Sequence, residues 1–388
     1  MKKKICMVVD NEFDHDTRVN KEARSLADAG YEVIVYAQKI SGRKEEEKIN
    51  GFTVKRPVRG YDLIRKKLWC YIRDVLPAYN LLVKENADVY HANDLPVLPI
   101  CYIVSKKLNS KLVYDSHELF LETLYRANKN LVSYLIAKGK FLILAQVEKK
   151  LIKSVDKIIT VNESIAGELK KRYGIQKVTV LMNVPSDPFS KDKGVNKFKD
   201  LFNKSGKIVL YQGGFSWVRG MKQLIESVRY FPKDTCLVLM GDGEIKPSLE
   251  RLVQKNNLSD KIRFVPTVPL DELYSYTSSA DVGIIPYLNV SLNHYYSTPN
   301  KLFEYMTAGL PMAVSDFPEM KKIVEENNVG VTFNPEDPKD IARIVGKILF
   351  DESRYKQMRE NALRAAKEKY NWENEEKKLL DVYGRVLN

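Results

Sequence analysis

Residues 4–37, KICMVVDNEFDHDTRVNKEARSLADAGYEVIVYA, decide the fold class. Lys4–Val9 is a short run rich in Ile, Met and Val that stops at Asp10, the pattern of a buried strand. Val19, Ala23, Leu26 and Ala27 then recur at helical spacing, and Gly30 ends that stripe. Tyr31–Ala37 returns as an apolar strand. Strand, loop, helix and strand in this order start a parallel sheet.

The alternation continues outward. Strands are expected at Asp88–His91, Lys111–Tyr114, Lys157–Val161 and Val178–Leu181, with helices at Leu95–Leu108, about Tyr134–Ser154 and Glu163–Tyr173. Residues 183–206 are polar, charged and interrupted by Pro and Gly, as a linker is. A second alternation has strands at Ile208–Tyr211, Cys236–Met240, Ile262–Val265, Asp281–Ile285, Pro311–Val314 and Gly330–Phe333. The expected fold is α/β, with two doubly wound parallel-sheet (Rossmann-like) domains facing a cleft. Their bounds are read as 1–185 and 206–370, with a linker at 186–205. A last helix, 371–388, is expected to pack back on the first domain.

A chain of 388 residues, 44% hydrophobic and 29% charged, has globular composition, which excludes a disordered protein. The formal net charge of +13 is unevenly spread. Residues 1–50 carry 10 basic and 10 acidic residues, residues 51–200 carry 27 and 15, and residues 201–388 carry 26 and 25. The excess lies in one stretch of the first domain, so the two halves face different partners. Cys6, Cys70, Cys101 and Cys236 have no metal or redox spacing and read as unpaired thiols of a reducing compartment. No apolar run approaches the ~18 residues of a membrane span. MKKKICMVVD reads as a first strand, not a signal peptide.

The densest motif is Ser297–Pro311, STPNKLFEYMTAGLP. Thr298 is placed to cap a helix with Pro299 at its first position. Lys301 puts a cation in the first turn, where the helix dipole favours an anion; this suits a bound phosphate. A solvated lysine on a capped surface helix is the plain alternative. The second motif, Gln212–Gly220 (QGGFSWVRG), follows a strand directly. Gly213 and Gly214 allow close backbone approach to a ligand, and Arg219 can fork onto phosphate oxygens. The spacing is neither a dinucleotide fingerprint nor a P-loop. Asp14-His15-Asp16 is a weak metal triplet at a strand–helix junction, where Asp16 and Thr17 suit a helix cap better and Arg18 is a cleft candidate. His91 and His117 stand at strand ends, where cleft residues belong, with Glu118 beside the second.

Basic and aromatic residues interleave at 59–85, with Arg65, Lys66, Lys67 and Arg73 beside Leu68, Trp69 and Tyr71. Residues 124–154 add Arg126, Lys129, Lys138 and Lys140 beside Leu131, Tyr134, Leu135 and Phe141. The pattern suits an anionic membrane surface; a solvated basic face and nucleic-acid binding are the other readings.

In combination these motifs resemble the bacterial glycosyltransferases of family 4, which have the two-domain GT-B fold. The stretches that carry the resemblance are DHDTRVNKEARSLADAGYEVIVY, ADVYHAND, VYDSHEL, VLYQGGFSWVRGM, VLMGDGE and STPNKLFEYMTAGLPMAVS, spread over both halves. The resemblance implies retaining transfer from a nucleoside-diphosphate sugar, with UDP favoured and GDP next, without a metal or other cofactor. It implies that Glu304 binds the ribose, that Arg219 and Lys301 with Thr298–Asn300 hold the diphosphate, that the loop around Phe264–Val268, Val265 included, holds the base, and that His117 sits by the donor sugar. Two positions depart from the family pattern. Tyr296 stands where a first glutamate is usual, and Gly214 where an arginine often follows the first glycine. Lys222 and Arg18 join Lys301 as substitutes for that arginine's charge. Asp16, Arg18, His91 and Glu118 are expected on the acceptor side. The expected acceptor is a lipid-linked or other cell-envelope glycan, at the inner face of the cell membrane, with no nucleic acid bound. A nucleotide-sugar epimerase of the same fold is the nearest rival.

Overall fold

The computed structural model describes residues 2–14, 16–39, 42–58, 68–123, 131–186, 197–198, 201 and 206–388. The chain divides into two compact units, Met1–Asn183 with Glu375–Asn388, and Val184–Asn374.

The first unit runs β1 (Lys4–Val8), α1 (Thr17–Asp28), β2 (Glu32–Gln38), β3 (Glu46–Ile49), β4 (Phe52–Val58), α2 (Leu68–Glu85), β5 (Val89–Asn93), α3 (Leu98–Leu108), β6 (Lys111–Ser116), α4 (Phe120–Thr123), α5 (Leu131–Leu151), β7 (Lys157–Thr160), α6 (Glu163–Tyr173) and β8 (Val178–Val180). Its sheet has the order β3-β4-β2-β1-β5-β6-β7-β8. Ile5, Cys6, Met7 and Val8 of β1 are fully buried because β1 lies between two parallel neighbours, β2 and β5.

One strand departs from the all-parallel expectation. β3 pairs antiparallel with β4 across Asn50-Gly51. Both turn residues have positive φ, 46° and 88°, the backbone that a two-residue hairpin demands and that Asn-Gly supplies.

The second unit continues with β9 (Lys207–Gln212), α7 (Met221–Ser227), β10 (Thr235–Met240), α8 (Lys246–Lys255), β11 (Ile262–Val265), α9 (Leu270–Thr277), β12 (Val282–Ile285), α10 (Leu292–Tyr295), α11 (Asn300–Thr307), β13 (Met312–Ser315), α12 (Pro318–Glu326), β14 (Gly330–Phe333), α13 (Pro338–Leu349) and α14 (Glu352–Glu368). Its strand order is β11-β10-β9-β12-β13-β14, all parallel. The order reverses between β9 and β12. In such sheets ligands bind outside the strand carboxyl ends at that reversal. The first sheet reverses likewise between β1 and β5.

The last helix, α15 (Trp372–Leu387), belongs to the first unit from Glu375 onward. Leu379, Val382, Tyr383 and Val386 bury one face of it, and Glu375 accepts a hydrogen bond from the Met182 main chain at 2.9 Å. Most of residues 186–205 lies outside the described residues. Phe198 is described, buried beside Tyr276 in the second unit.

Candidate active site

The second unit holds a cavity of about 510 Å³ at the carboxyl ends of its strands. Its wall comes from Gln212 at the end of β9 with Gly213 and Gly214 after it, Met240, Gly241 and Asp242 at β10, and Thr267 and Val268 after β11. Tyr287, after β12, Pro299 before α11, and Asn300, Lys301 and Glu304 of α11 close it. These residues are far apart in sequence and converge because each follows a strand or starts the helix facing it.

Gly241 shows how closely the backbone is packed. Its φ is +143°, and a Cβ there would lie 2.1 Å from the Gly213 carbonyl oxygen. Arg219 ends a 3-10 turn, Trp217–Arg219, and its Nη1 donates to the Gly214 carbonyl at 2.8 Å. The Tyr211 hydroxyl donates to the same oxygen. Lys301 is 6% exposed, and its Nζ has no hydrogen-bond partner. The nitrogen lies 4.0 Å from the Tyr211 ring centre and 5.3 Å from that of Tyr287. Burial and the neighbouring Arg219 cation push its pKa well below the ordinary lysine value. Lys301 and Arg219 thus meet at the paired glycines, and the pull of Glu304 does not offset burial and the Arg219 charge, an arrangement that favours an anionic ligand.

Glu304 is held on the other side. Gln212 Nε2 donates to Glu304 Oε2 at 2.5 Å. A carboxylate only accepts, so the Gln212 amide must present its nitrogen there. Its oxygen then accepts from the Thr277 hydroxyl at 2.8 Å.

Three expectations in this unit need correction. Helix α11 starts at Asn300, one residue later than the sequence suggests, so Pro299 occupies the cap position and no side chain caps the helix; Thr298 is not its cap. Within the Phe264–Val268 loop, Val265 itself is buried in β11, and Thr267 and Val268 supply the wall at that edge. Lys222 is 57% exposed and pairs with Glu226, outside the cavity wall.

In the first unit, the carboxyl ends of β5 and β6 carry a buried polar cluster. Arg18 reaches Asp115 through Nε at 3.0 Å and Nη2 at 2.8 Å, and donates to the Leu181 carbonyl. It is 4% exposed, an internal partner of Asp115 and not an open cleft residue. Burial alone would raise the Asp115 carboxyl, but Arg18 and His117 hold it far below its ordinary value. Glu22 Oε1 lies 3.0 Å from Arg18 Nε, whose N–H is directed at Asp115, so neither Glu22 oxygen accepts a hydrogen bond. Burial raises Glu22 to about 8.

His91 is fully buried, with Nδ1 2.7 Å from the Tyr383 hydroxyl of α15, and burial lowers it to about 4. It is an interior neutral histidine, because β5 is covered on both sides. Asp16 accepts from the Val19 main chain and caps α1. His15 lies outside the described residues. Glu118 is half-buried, its carbonyl accepting from Ser116. His117 keeps a fifth of its side chain exposed. Glu22, His91 and Asp115 offer ligand atoms within 4.8 Å of one another, but the Arg18 guanidinium already occupies both Asp115 oxygens.

Thr277, Asp94 and Asp115 are not among the sequence-predicted site residues, and Gln212 is there only as the head of the QGGFSWVRG motif, with no role of its own. Asp115 had a signal, an acid at the end of a strand two residues before His117. Thr277 had none, since only the folded chain brings it to Gln212.

Residues 192–365 match the family model of glycosyl transferases group 1, and residues 16–184 match that of glycosyltransferase family 4. A chitobiosyldiphosphodolichol beta-mannosyltransferase of Kluyveromyces lactis is 24% identical over 96% of this chain and 89% of its own. The first four curated relatives are matched over only 42–63% of their own lengths. Sucrose-phosphate synthase from Thermosynechococcus elongatus superposes with a TM-score of 0.82 at 19% identity, covering 99% of each chain. Anabaena HepE in complex with UDP and glucose gives 0.76 at 14%, covering 99% of this chain and all of its own. Two Rossmann-like units, the returning terminal helix and family matches across both halves lead to one conclusion: the chain joins a glycosyltransferase family 4 domain to a glycosyl transferases group 1 domain, in the GT-B fold.

Proposed function

We propose that the second unit binds a nucleoside-diphosphate sugar, UDP-linked by preference and GDP-linked next, and that the enzyme transfers the sugar with retention of configuration to a cell-envelope acceptor. The observation that carries this reading is Lys301, a buried amine without a hydrogen-bond partner beside Arg219 and the Gly213-Gly214 backbone. Glu304, fixed by Gln212, then receives the ribose hydroxyls. The likeness to a fold seen with UDP and glucose supports the same assignment.

The mechanism follows from charge. Breaking the anomeric bond builds negative charge on the diphosphate, which Arg219, Lys301 and the start of α11 stabilise. These side-chain cations leave no step that needs a metal ion. The departing phosphate oxygen takes the acceptor's proton on the face it leaves, which gives retention. A thermal-shift screen with UDP-, GDP- and ADP-sugars tests the donor class, and transfer to an acceptor, against interconversion of free donor, separates transferase from epimerase.

The acceptor side of the reading is a lipid-linked glycan at an anionic membrane. Arg65, Lys66, Lys67, Arg126 and Lys129 lie outside the described residues, but α2, α3 and α5 carry an observation of their own. Leu76, Ile103, Leu142 and Ile143 are each at least half exposed on these helices, with α3 packed against both others. Among their described side chains the exposed charges are Lys84, Lys106, Lys107, Lys138, Lys149 and Lys150, all basic. Glu148 is turned inward onto Tyr114 and Tyr173. Exposed apolar residues and exposed lysines on the same three helices suit anionic lipid. No described helix is long and apolar enough to cross a membrane.

A further inference from the structure

His117 is gripped at three points. Its main-chain N–H donates to Asp94 Oδ1 at 2.9 Å. Its Nδ1 lies 3.2 Å from Asp94 Oδ2, and its Nε2 lies 3.2 Å from Asp115 Oδ2. A ring nitrogen that faces a carboxylate carries a proton, because the carboxylate can only accept. Both ring nitrogens face carboxylates, so both are protonated.

Asp94 is built for this contact. Its φ is +68°, and its own N–H donates to the Asp115 carbonyl at 2.8 Å. That bond closes the β5–β6 edge and turns the Asp94 carboxylate onto residue 117. An aspartate in left-handed backbone is uncommon and marks a position the surroundings impose.

We propose that Asp94 is a positioning residue that, together with Asp115, locks His117 as a doubly protonated ring and thereby bars it from acting as the catalytic base. This rests on the reading that places His117 at the donor sugar. It deepens that reading by assigning the acceptor's proton to the leaving diphosphate and to no side chain in this cluster. The remaining charged and titratable groups around the ring agree. Arg18 is held on Asp115, His91 stays neutral, and Glu22 is held protonated at neutral pH by burial. Burial alone would favour a neutral His117, yet the Asp94 and Asp115 carboxylates hold it well above the ordinary histidine value.

The experiment is ¹⁵N–¹H ring NMR of the full chain with histidine-selective labelling, the His117 signals assigned by loss in His117→Asn. Both ring nitrogens of wild-type His117 are expected to stay protonated from about pH 5 to about pH 8, whereas an unclamped histidine titrates near 6.5. Asp94→Asn should return the titration of His117 to within that range, since asparagine keeps the left-handed backbone and loses the charge. Asp94→Gly is the second variant, which keeps φ and removes the side chain. In UDP-glucose hydrolysis, Asp94→Asn should lower kcat about tenfold and add an ionisation to its pH profile, with KM little changed. A wild-type His117 that titrates near 6.5, or an Asp94→Asn ring that stays doubly protonated, overturns the proposal. Absence of turnover in every protein would count against the donor assignment, while the NMR result still decides the clamp.

Discussion

Lys301 places its ammonium nitrogen 4.0 Å from the centre of the Tyr211 ring, buried and without a hydrogen bond. Burial and the neighbouring Arg219 cation depress its pKa. A diphosphate arriving between the two cations would restore the ordinary lysine range. Binding should therefore take up a proton at pH values between the depressed and the ordinary lysine pKa, and affinity should fall as pH rises through that range. Calorimetry of UDP binding across a pH series, in buffers of different ionisation heat, reads that proton directly.

Gln212 fixes Glu304 in one orientation. If Glu304 receives the ribose hydroxyls, wild type should prefer UDP over 2′-deoxy-UDP by about tenfold or more, the ~1.5–3 kcal/mol of a hydrogen bond to a charged group. Glu304→Ala should lose that preference, and Gln212→Leu should weaken it. Equal preference in wild type and Glu304→Ala would remove Glu304 from the ribose site.

Glu22 carries a pH signature of the first unit. Burial raises its folded pKa from the ordinary glutamate range to about 8, so the stability it contributes is complete below the unfolded value and fades as pH rises through about 8. Thermal unfolding should show wild type losing several degrees relative to Glu22→Gln between pH 6 and pH 9. A pH-independent difference would mean that Glu22 is ionised in the fold, paired with Arg18.

Leu142 and Ile143 of α5 are 56% and 68% exposed, on a helix that also exposes Lys138, Lys149 and Lys150. Leu142→Asp with Ile143→Asp should abolish sedimentation with phosphatidylglycerol-containing vesicles. Pure phosphatidylcholine vesicles should bind weakly before and after, because the lysines then have no counter-charge. Unchanged binding to the anionic vesicles would exclude this face.

Much of this was legible in the sequence where the signal is periodic or local. The β1–α1–β2 unit, the second alternation of strands and helices, and the Arg219 and Lys301 loops stand where apolar period and glycine placement put them. The Asn50-Gly51 hairpin was also written locally, although β3 is too polar to show as a buried strand. Thr298 misled because the Thr-Pro pair fits a cap pattern, whereas Pro299 itself takes the cap position. Arg18 and His91 misled differently. Strand-end position suggests a cleft, but only the packed fold shows Asp115 drawing Arg18 inside and Tyr383 closing over His91. The Thr277–Gln212–Glu304 chain joins residues up to 92 positions apart, and no local pattern encodes it.

The most direct test is a calorimetric titration of the full chain with UDP and with GDP, repeated on Arg219→Ala and Lys301→Met. Saturable one-to-one binding of UDP, tighter than GDP and weakened about 100-fold in either variant, is the expected result for two charge-assisted contacts to one diphosphate. Binding of neither nucleotide, or undiminished binding in Lys301→Met, would contradict the assignment of this cavity to the donor.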